Sequence, residues 1–263
     1  MMKTVNSRSP IGIFDSGLGG LSTTGAICNL LPQEDLLYFG DSIHNPYGTK
    51  SREQIIQYCT DICDAFEKQN VKAIVIACNT ATSAAVPVLR QRYDFDIIGV
   101  EPALKPAAML GEHQKIAIWA TKLTLEEEKF ARLLHRFDQD HQIRRVACPR
   151  LVRLVEEDRL DDQEAVDAAL WDYLEQSNWE ELDSIVLGCT HFVFFKDRLA
   201  ELTQGKVHLI DGNEGTARHL REVLATKDLL NPQETGSLHL DNSDPGKLQL
   251  SSKLVQKAKE ISQ

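Results

Sequence analysis

The sequence lacks any apolar run near the roughly 18 residues that a membrane span needs. Its opening stretch, Met1 to Pro10, is polar and has no apolar signal-peptide core. Both absences lead to the expectation of a cytoplasmic protein with no membrane partner. A basic excess is missing too: 29 Lys and Arg stand against 39 Asp and Glu, for a formal net charge of −10. General nucleic-acid binding needs a basic footprint, as does docking to an anionic lipid surface, so neither is expected. An anionic small molecule would need a locally prepared site. The six cysteines (28, 59, 63, 78, 148 and 189) contain no Cys-x-x-Cys pair and should be reduced thiols in that compartment. Cys59 and Cys63 lie four apart on one face of a helix-like stretch, with no His or second Cys pair nearby, which reads as packing and not metal binding. A Walker lysine is absent. In Gly17-Leu18-Gly19-Gly20-Leu21-Ser22 a serine holds the sixth position of the dinucleotide fingerprint, so dinucleotide binding is weakly supported. No low-complexity segment occurs.

What is present is a chain of 263 residues, 42% of them hydrophobic, enough for one or two domains with a large core. Short apolar runs alternate with longer amphipathic stretches. Ile11 to Phe14 stops at Asp15, and Asp35 to Phe39 stops at Gly40-Asp41. Ser51 to Gln69 reads as a helix, Lys72 to Ala77 as a strand ending at Cys78, and Ile97 to Val100 as a strand ending at Glu101-Pro102. The pattern then restarts. Lys115 to Trp119 is a strand, and Thr124 to Phe137 is a helix with Thr124 as its N-cap and Glu126 to Glu128 complementing its dipole. Arg145 to Cys148, Ser184 to Leu187 and Val207 to Ile210 are strands, and Gln163 to Gln176 is a helix. This order predicts parallel sheets covered by helices. Two halves line up: Asp15 and Thr121 follow comparable strands, and Val-Ile-Ala-Cys-Asn-Thr (75–80) parallels Val-Leu-Gly-Cys-Thr-His (186–191). The reading is two similar α/β domains; a single large sheet fits the periodicity as well.

In such sheets ligands sit outside the carboxyl ends of the strands. Asp15-Ser16, Cys78-Asn79-Thr80, Thr121 and Cys189-Thr190-His191 all fall there. Each of the two cysteines ends an apolar strand and is followed by small hydroxyl and amide residues, a setting that suits a helix N-terminus able to support a thiolate. Two equivalent thiols suggest proton exchange at a stereocentre, where one base removes a proton and a conjugate acid delivers one to the opposite face. Two buried core cysteines are the bland alternative. A phosphatase loop needs Arg six residues after Cys, where Ala84 and Phe195 stand. A Cys-His hydrolase would leave the second thiol unexplained. Asp15 could polarise a thiol, hold an ammonium group or cap its own helix, and the residues leave these open. His191 could stabilise a thiolate or shuttle its proton. Tyr47 and the Gly48 backbone, in the loop from Asp41 to Gly48, could touch a ligand or simply connect.

These residues carry a resemblance. IGIFDSGLGGLS (11–22), YFGDSIHNPYGTKS (38–51), IVIACNTATSAA (74–85), IIGVEPALKPA (97–107) and VLGCTHF (186–192) resemble, in order, the motifs of glutamate racemases within the aspartate/glutamate racemase superfamily. The resemblance implies two pseudo-symmetric doubly wound α/β domains with the active site in the cleft between them. The first would span 1–99 plus 211–263, and the second 100–210. It implies no cofactor and no metal, glutamate as substrate, D-glutamate supply for peptidoglycan, and a homodimer. Cys78 would deprotonate D-glutamate and Cys189 L-glutamate. Asp15 and His191 match assisting acid/base positions, and Glu156 a further carboxylate. Ser16, Tyr47, Gly48, Asn79, Thr80, Thr121, Thr124 and Thr190 match substrate contacts, as do Asp15 and His191. The chain departs from the pattern at Leu151 and Arg153, where Phe and Pro are usual, at Phe192-Val193, where Tyr-Pro is usual, and after Thr124. A racemase of aspartate or a related acid, and a catalytically lapsed paralogue that binds a ligand, are the alternatives.

Overall fold

The computed structural model describes residues 5–100, 103–126 and 128–262. In chain order the strands are β1 (Ile11–Asp15), β2 (Leu36–Gly40), β3 (Ala73–Ile76), β4 (Asp96–Gly99), β5 (Lys115–Ala120), β6 (Gln142–Ala147), β7 (Ser184–Leu187), β8 (His208–Ile210) and β9 (Leu238–Asn242). The helices are α1 (Leu21–Leu30), α2 (Arg52–Lys68), α3 (Asn79–Arg92), α4 (Leu104–Ala108), α5 (Lys122–Glu126), α6 (Glu128–His135), α7 (Pro149–Glu156), α8 (Gln163–Ser177), α9 (Lys196–Leu202), α10 (Asn213–Thr226) and α11 (Leu248–Ile261). The chain forms two compact units, Met1–Val100 with Asn213–Gln263, and Glu101–Gly212.

The first unit holds a parallel sheet in the order β4-β3-β1-β2-β9. Its central strands are apolar runs, β1 ending at Asp15, and every residue of β1 and β3 is buried, as expected of a parallel sheet covered on both faces. Helix α2 starts at a reciprocal cap, with Ser51 Oγ accepting from the Gln54 N–H and Gln54 Oε1 accepting from the Ser51 N–H. It buries Cys59 and Cys63, the packing role expected of them. The final segment returns to finish this unit. Strand β9 pairs in parallel with β2, and α11 packs on α1. At the sheet's lower end the fully buried Lys72 ammonium donates to Glu34 Oε2 and to the carbonyls of Ser7 and Leu229, while Glu34 Oε1 accepts from the Asn231 N–H.

The second unit holds a parallel sheet in the order β6-β5-β7-β8. Ile116, Ile118 and Ala120 pack with Leu104, Ala107 and Phe130 on one face. Trp119 points the other way and donates to Ser177 Oγ of α8 at 2.8 Å. In both units the chain starts at a central strand, moves outward to one neighbour, then crosses to the other side: β1, β2, β3 and β5, β6, β7. The reversal point of each sheet therefore lies between β1 and β3 and between β5 and β7, where such sheets bind ligands.

Register makes the comparison residue by residue. Phe14 pairs with Ile76, and Trp119 with Leu187. One step on, the Ala77 N–H bonds to the Phe14 carbonyl, and the Gly188 N–H to the Trp119 carbonyl. Cys78 and Cys189 thus hold the same position in the two units. The same register aligns Ser16 with Thr121 and Asp15 with Ala120, one residue off the expected match of Asp15 with Thr121.

Three local readings are corrected. The helix expected over 124–137 is two helices, α5 and α6, with residue 127 outside the described residues. Thr124 is not its N-cap. Thr121 Oγ1 accepts from the Thr124 N–H, because a capping hydroxyl must stand about three residues before the N–H it serves. Glu126 accordingly ends α5 and does not open a helix; Glu127 is undescribed. The strand end expected at Glu101-Pro102 also lies outside the described residues.

Candidate active site

In the first unit Asp15 closes β1 and is fully buried. Its Oδ1 accepts from the Gly17 N–H at 2.9 Å and the Ser16 hydroxyl at 3.4 Å. The carboxylate holds its own loop and does not cap α1, which begins at Leu21 without a side-chain cap. Gly20 is required by this packing: a Cβ there would lie 2.4 Å from Asp15 Cβ. Cys78 ends the β3 run and caps α3, with the Ala81 N–H donating to Sγ at 3.4 Å. A donor from a helix N-terminus stabilises a thiolate. The thiol also donates to Ser16 Oγ at 3.5 Å, so Cys78, Ser16 and Asp15 form one chain of contacts. Asn79 and Thr80 open α3 and are buried. Asn79 Oδ1 and Ser83 Oγ are buried with no hydrogen-bond partner among the described residues.

Tyr47 and Gly48 lie in a short 3-10 turn, Tyr47–Thr49. Tyr47 is 1% exposed and its hydroxyl donates to Asp41 Oδ2 at 2.7 Å. Burial, followed by the neighbouring charges of Cys59, Asp41 and Cys78, pushes the phenol's pKa far upward, so Tyr47 stays neutral. Cys59 is likewise held protonated, by burial first and then by Cys78, Cys63, Asp41 and Asp15. Asp41 was not singled out from sequence as a site residue. Its position directly after the β2 run, Gly40-Asp41, is the signal that marks it.

In the second unit Cys189 follows β7 and precedes a 3-10 turn, Thr190–Phe195. The setting differs from that of Cys78: no N–H from the turn reaches the sulfur as a cap. An imidazole supports it instead. His191 Nδ1 lies 3.6 Å from Cys189 Sγ, and Nε2 lies 2.8 Å from Glu156 Oε1. Burial works against the imidazolium, but the hydrogen bonds and charges of Cys189 and Glu156 outweigh it and hold the His191 pKa well above its usual value. Glu156 reaches the ring because α7 buries Leu151, Val152, Leu154 and Val155 and ends at Glu156. The substituted Leu151, Phe192 and Val193 are buried core residues in this helix and turn, so they pack the support of the thiol–imidazole–carboxylate line without entering it. Arg153 is exposed. Thr190 is buried beside Cys189, and the Thr121 and Thr124 hydroxyls lie 2.9 Å apart. The expected residues therefore gather into two sets, Asp15, Ser16, Tyr47, Gly48, Cys78, Asn79 and Thr80 in one unit, and Thr121, Thr124, Glu156, Cys189, Thr190 and His191 in the other.

Among the described residues no group of three His, Cys, Asp or Glu side chains is placed to hold a metal ion, and no helix is long and apolar enough to cross a membrane.

A two-sheet α/β chain with a buried thiol at the same position of each sheet defines a class, and the chain belongs to it: residues 20–220 match the Asp/Glu/Hydantoin racemase family. Within that family it stands with the glutamate racemases. It is 52% identical over 245 residues to the glutamate racemase of Bifidobacterium animalis subsp. lactis, covering 92% of this chain and 95% of that one. A Bacillus anthracis glutamate racemase has the same fold at a TM-score of 0.85, with 27% identity over 95% of this chain and 94% of that one. The Escherichia coli enzyme, solved with L-glutamate and the activator UDP-MurNAc-Ala, superposes at 0.81, with 30% identity over 94% and 95% of the two chains. The chain is an isomerase that racemises glutamate.

Proposed function

We propose that the chain interconverts L- and D-glutamate with Cys78 and Cys189 as paired acid/base thiols, without cofactor or metal. The observation that carries this reading is the common register position of the two sulfurs on sheets of the same strand order. Cys189 as thiolate takes the α-proton of L-glutamate, and the Cys78 thiol delivers a proton to the other face of the carbon. The cycle leaves Cys78 as thiolate and Cys189 as thiol, which is the state that accepts D-glutamate and runs the reverse reaction. Protons balance in each direction, and the enzyme alternates between two protonation states.

The α-proton is far less acidic than a thiol, so the carbanion needs fixed donors around it. His191, held protonated by Glu156, assists Cys189. Asp15 acts beside Cys78 through Ser16. Asn79 supplies an acceptor that lacks a partner among the described residues, suited to the substrate's ammonium group. Ser16, Gly48, Thr80, Thr121, Thr124 and Thr190 supply neutral donors to its carboxylates, which accounts for glutamate binding to a chain of net charge −10. The two units act as the family's racemase domains, which the sequence leads us to expect at 1–99 plus 211–263 and at 100–210. We further propose a cytoplasmic homodimer that feeds D-glutamate to peptidoglycan synthesis, a setting in keeping with the activator UDP-MurNAc-Ala bound to the Escherichia coli relative.

The test is chiral analysis of the pure protein incubated separately with L-glutamate, D-glutamate and L-aspartate, alongside Cys78→Ser and Cys189→Ser. Interconversion of glutamate in both directions, lost in each variant, is expected. Turnover of aspartate in preference to glutamate would move the chain to the other branch, and activity surviving both substitutions would remove the thiols from the reaction.

A further inference from the structure

Helix α7 ends at Glu156, whose Oε1 lies 2.8 Å from His191 Nε2. Its first turn carries the contact that sets its position. The leading N–H groups of a helix have no partner within it, and Cys148, at the N-cap, offers none from its side chain. Pro149 has no N–H to satisfy, and the Leu151 N–H turns back to the Cys148 carbonyl at 3.3 Å. The Arg150 N–H finds its acceptor outside the helix: it donates to the Tyr173 hydroxyl oxygen of α8 at 3.2 Å. A phenol on a neighbouring helix thus fills the place of the missing cap.

Tyr173 is itself fixed. It is 3% exposed, and its ring meets the Trp119 ring edge-on with centroids 5.8 Å apart. One turn later in α8, Ser177 Oγ accepts from the Trp119 indole N–H at 2.8 Å and donates to the Tyr173 carbonyl at 2.6 Å. Trp119 also holds the strand that leads to the thiol. It pairs with Leu187 of β7, and its carbonyl accepts from the Gly188 N–H at 2.7 Å, one residue before Cys189. The same residue of β5 is therefore the reference for both partners, for Cys189 through the backbone and for Glu156 through Tyr173 and α7. A short helix packed on α8 and on the turn Thr190–Phe195 moves as one piece, so its first turn sets the place of its last.

We propose that Tyr173 is a positioning residue for Cys189: by holding the Arg150 N–H, its hydroxyl sets where α7 delivers Glu156 to His191. Such a support orients the groups that meet a substrate without touching it. A displaced Glu156 lengthens a charge-assisted hydrogen bond and loosens the imidazolium beside the thiol. Cys78 needs no such brace, because its donor comes from the helix it caps.

This inference rests on the glutamate reading above. In the full chain, Tyr173→Phe removes the oxygen and keeps the ring. The two enantiomers are equal in energy, so kcat/KM must fall by the same factor from either one. We expect about fivefold, the size of one neutral hydrogen bond. The NMR titration midpoint of His191 should move down, and in a Glu156→Gln background Tyr173→Phe should lower activity no further. Asp172→Asn breaks the exposed ion pair with Arg150 that joins the same two helices, and should leave activity and midpoint unchanged. Thermal unfolding of each variant checks the fold. Where Tyr173→Phe does not fold, Ser177→Ala, which frees the Tyr173 turn from the Trp119 indole, should lower both readouts. An unchanged His191 midpoint in folded Tyr173→Phe, a loss that adds to that of Glu156→Gln, or an equal shift in Asp172→Asn would overturn the assignment. A wild type that racemises no glutamate would overturn the functional reading instead, and the His191 midpoint would still decide the role of Tyr173.

Discussion

At the scale of single residues the two thiols differ in their support although they share a register position. Cys78 has a helix N–H and a serine, whereas Cys189 has an imidazole backed by a carboxylate. The second arrangement contains a group whose proton affinity changes on folding. His191 binds its proton more tightly in the folded chain than in the unfolded one, since its pKa is raised by Cys189 and Glu156 against the opposing effect of burial. The stability this contributes is fully present below the unfolded value of about 6.5 and is lost as pH rises through the folded value. Glu156→Gln removes one of the two supports. We expect an NMR titration to find the His191 imidazole of the wild type protonated well past pH 6.5, and that of the variant titrating lower. An unchanged midpoint would mean that Glu156 does not hold the proton. The pairing of Cys78 with Cys189 was legible in the sequence because each follows an apolar run and precedes small polar residues. Glu156 was reached through resemblance alone, since nothing in its flanking residues shows that α7 will aim it at His191. The contact of Asp41 is not marked in the sequence, because its hydrogen bond with Tyr47 forms only once the chain folds back six residues later.

At the scale of elements, the central strands were legible because parallel sheets covered on both faces demand unbroken apolar runs. β9 was not, because Leu238 and Leu240 alternate with His239 and Asp241, and an edge strand exposes one face. After β5 the apolar spacing continues across 127 and predicts one helix, while the chain forms two and the cap belongs to Thr121. The return of the final segment to the first unit depends on contacts distant in sequence. Lys72, just before β3, binds Glu34, just before β2, and both hold the 229–231 stretch that leads to β9. Both side chains are fully buried. Lys72→Met leaves the Glu34 charge without its partner and should destabilise the chain by about 3–5 kcal/mol. Denaturant unfolding measures this, and a loss below about 1 kcal/mol would show the pair to be dispensable.

At the scale of the whole molecule, a doubled α/β unit gives a reaction that has no preferred direction a pair of matched bases. The doubling was visible as two similar cysteine motifs, and the register shows that the match extends through the strands that carry them. The central claim is that one thiol serves each face of the α-carbon. It is tested most directly by the early time course of L-glutamate in deuterated water, with the hydrogen isotope at the α-carbon read separately in each enantiomer by chiral separation and mass spectrometry. A thiol exchanges its proton with solvent, so the two-thiol account predicts that the first D-glutamate formed carries deuterium while the remaining L-glutamate still carries protium. Protium retained in the product, or deuterium appearing as early in the recovered L-glutamate as in the D-glutamate, would mean that a single base works both faces and would contradict the account.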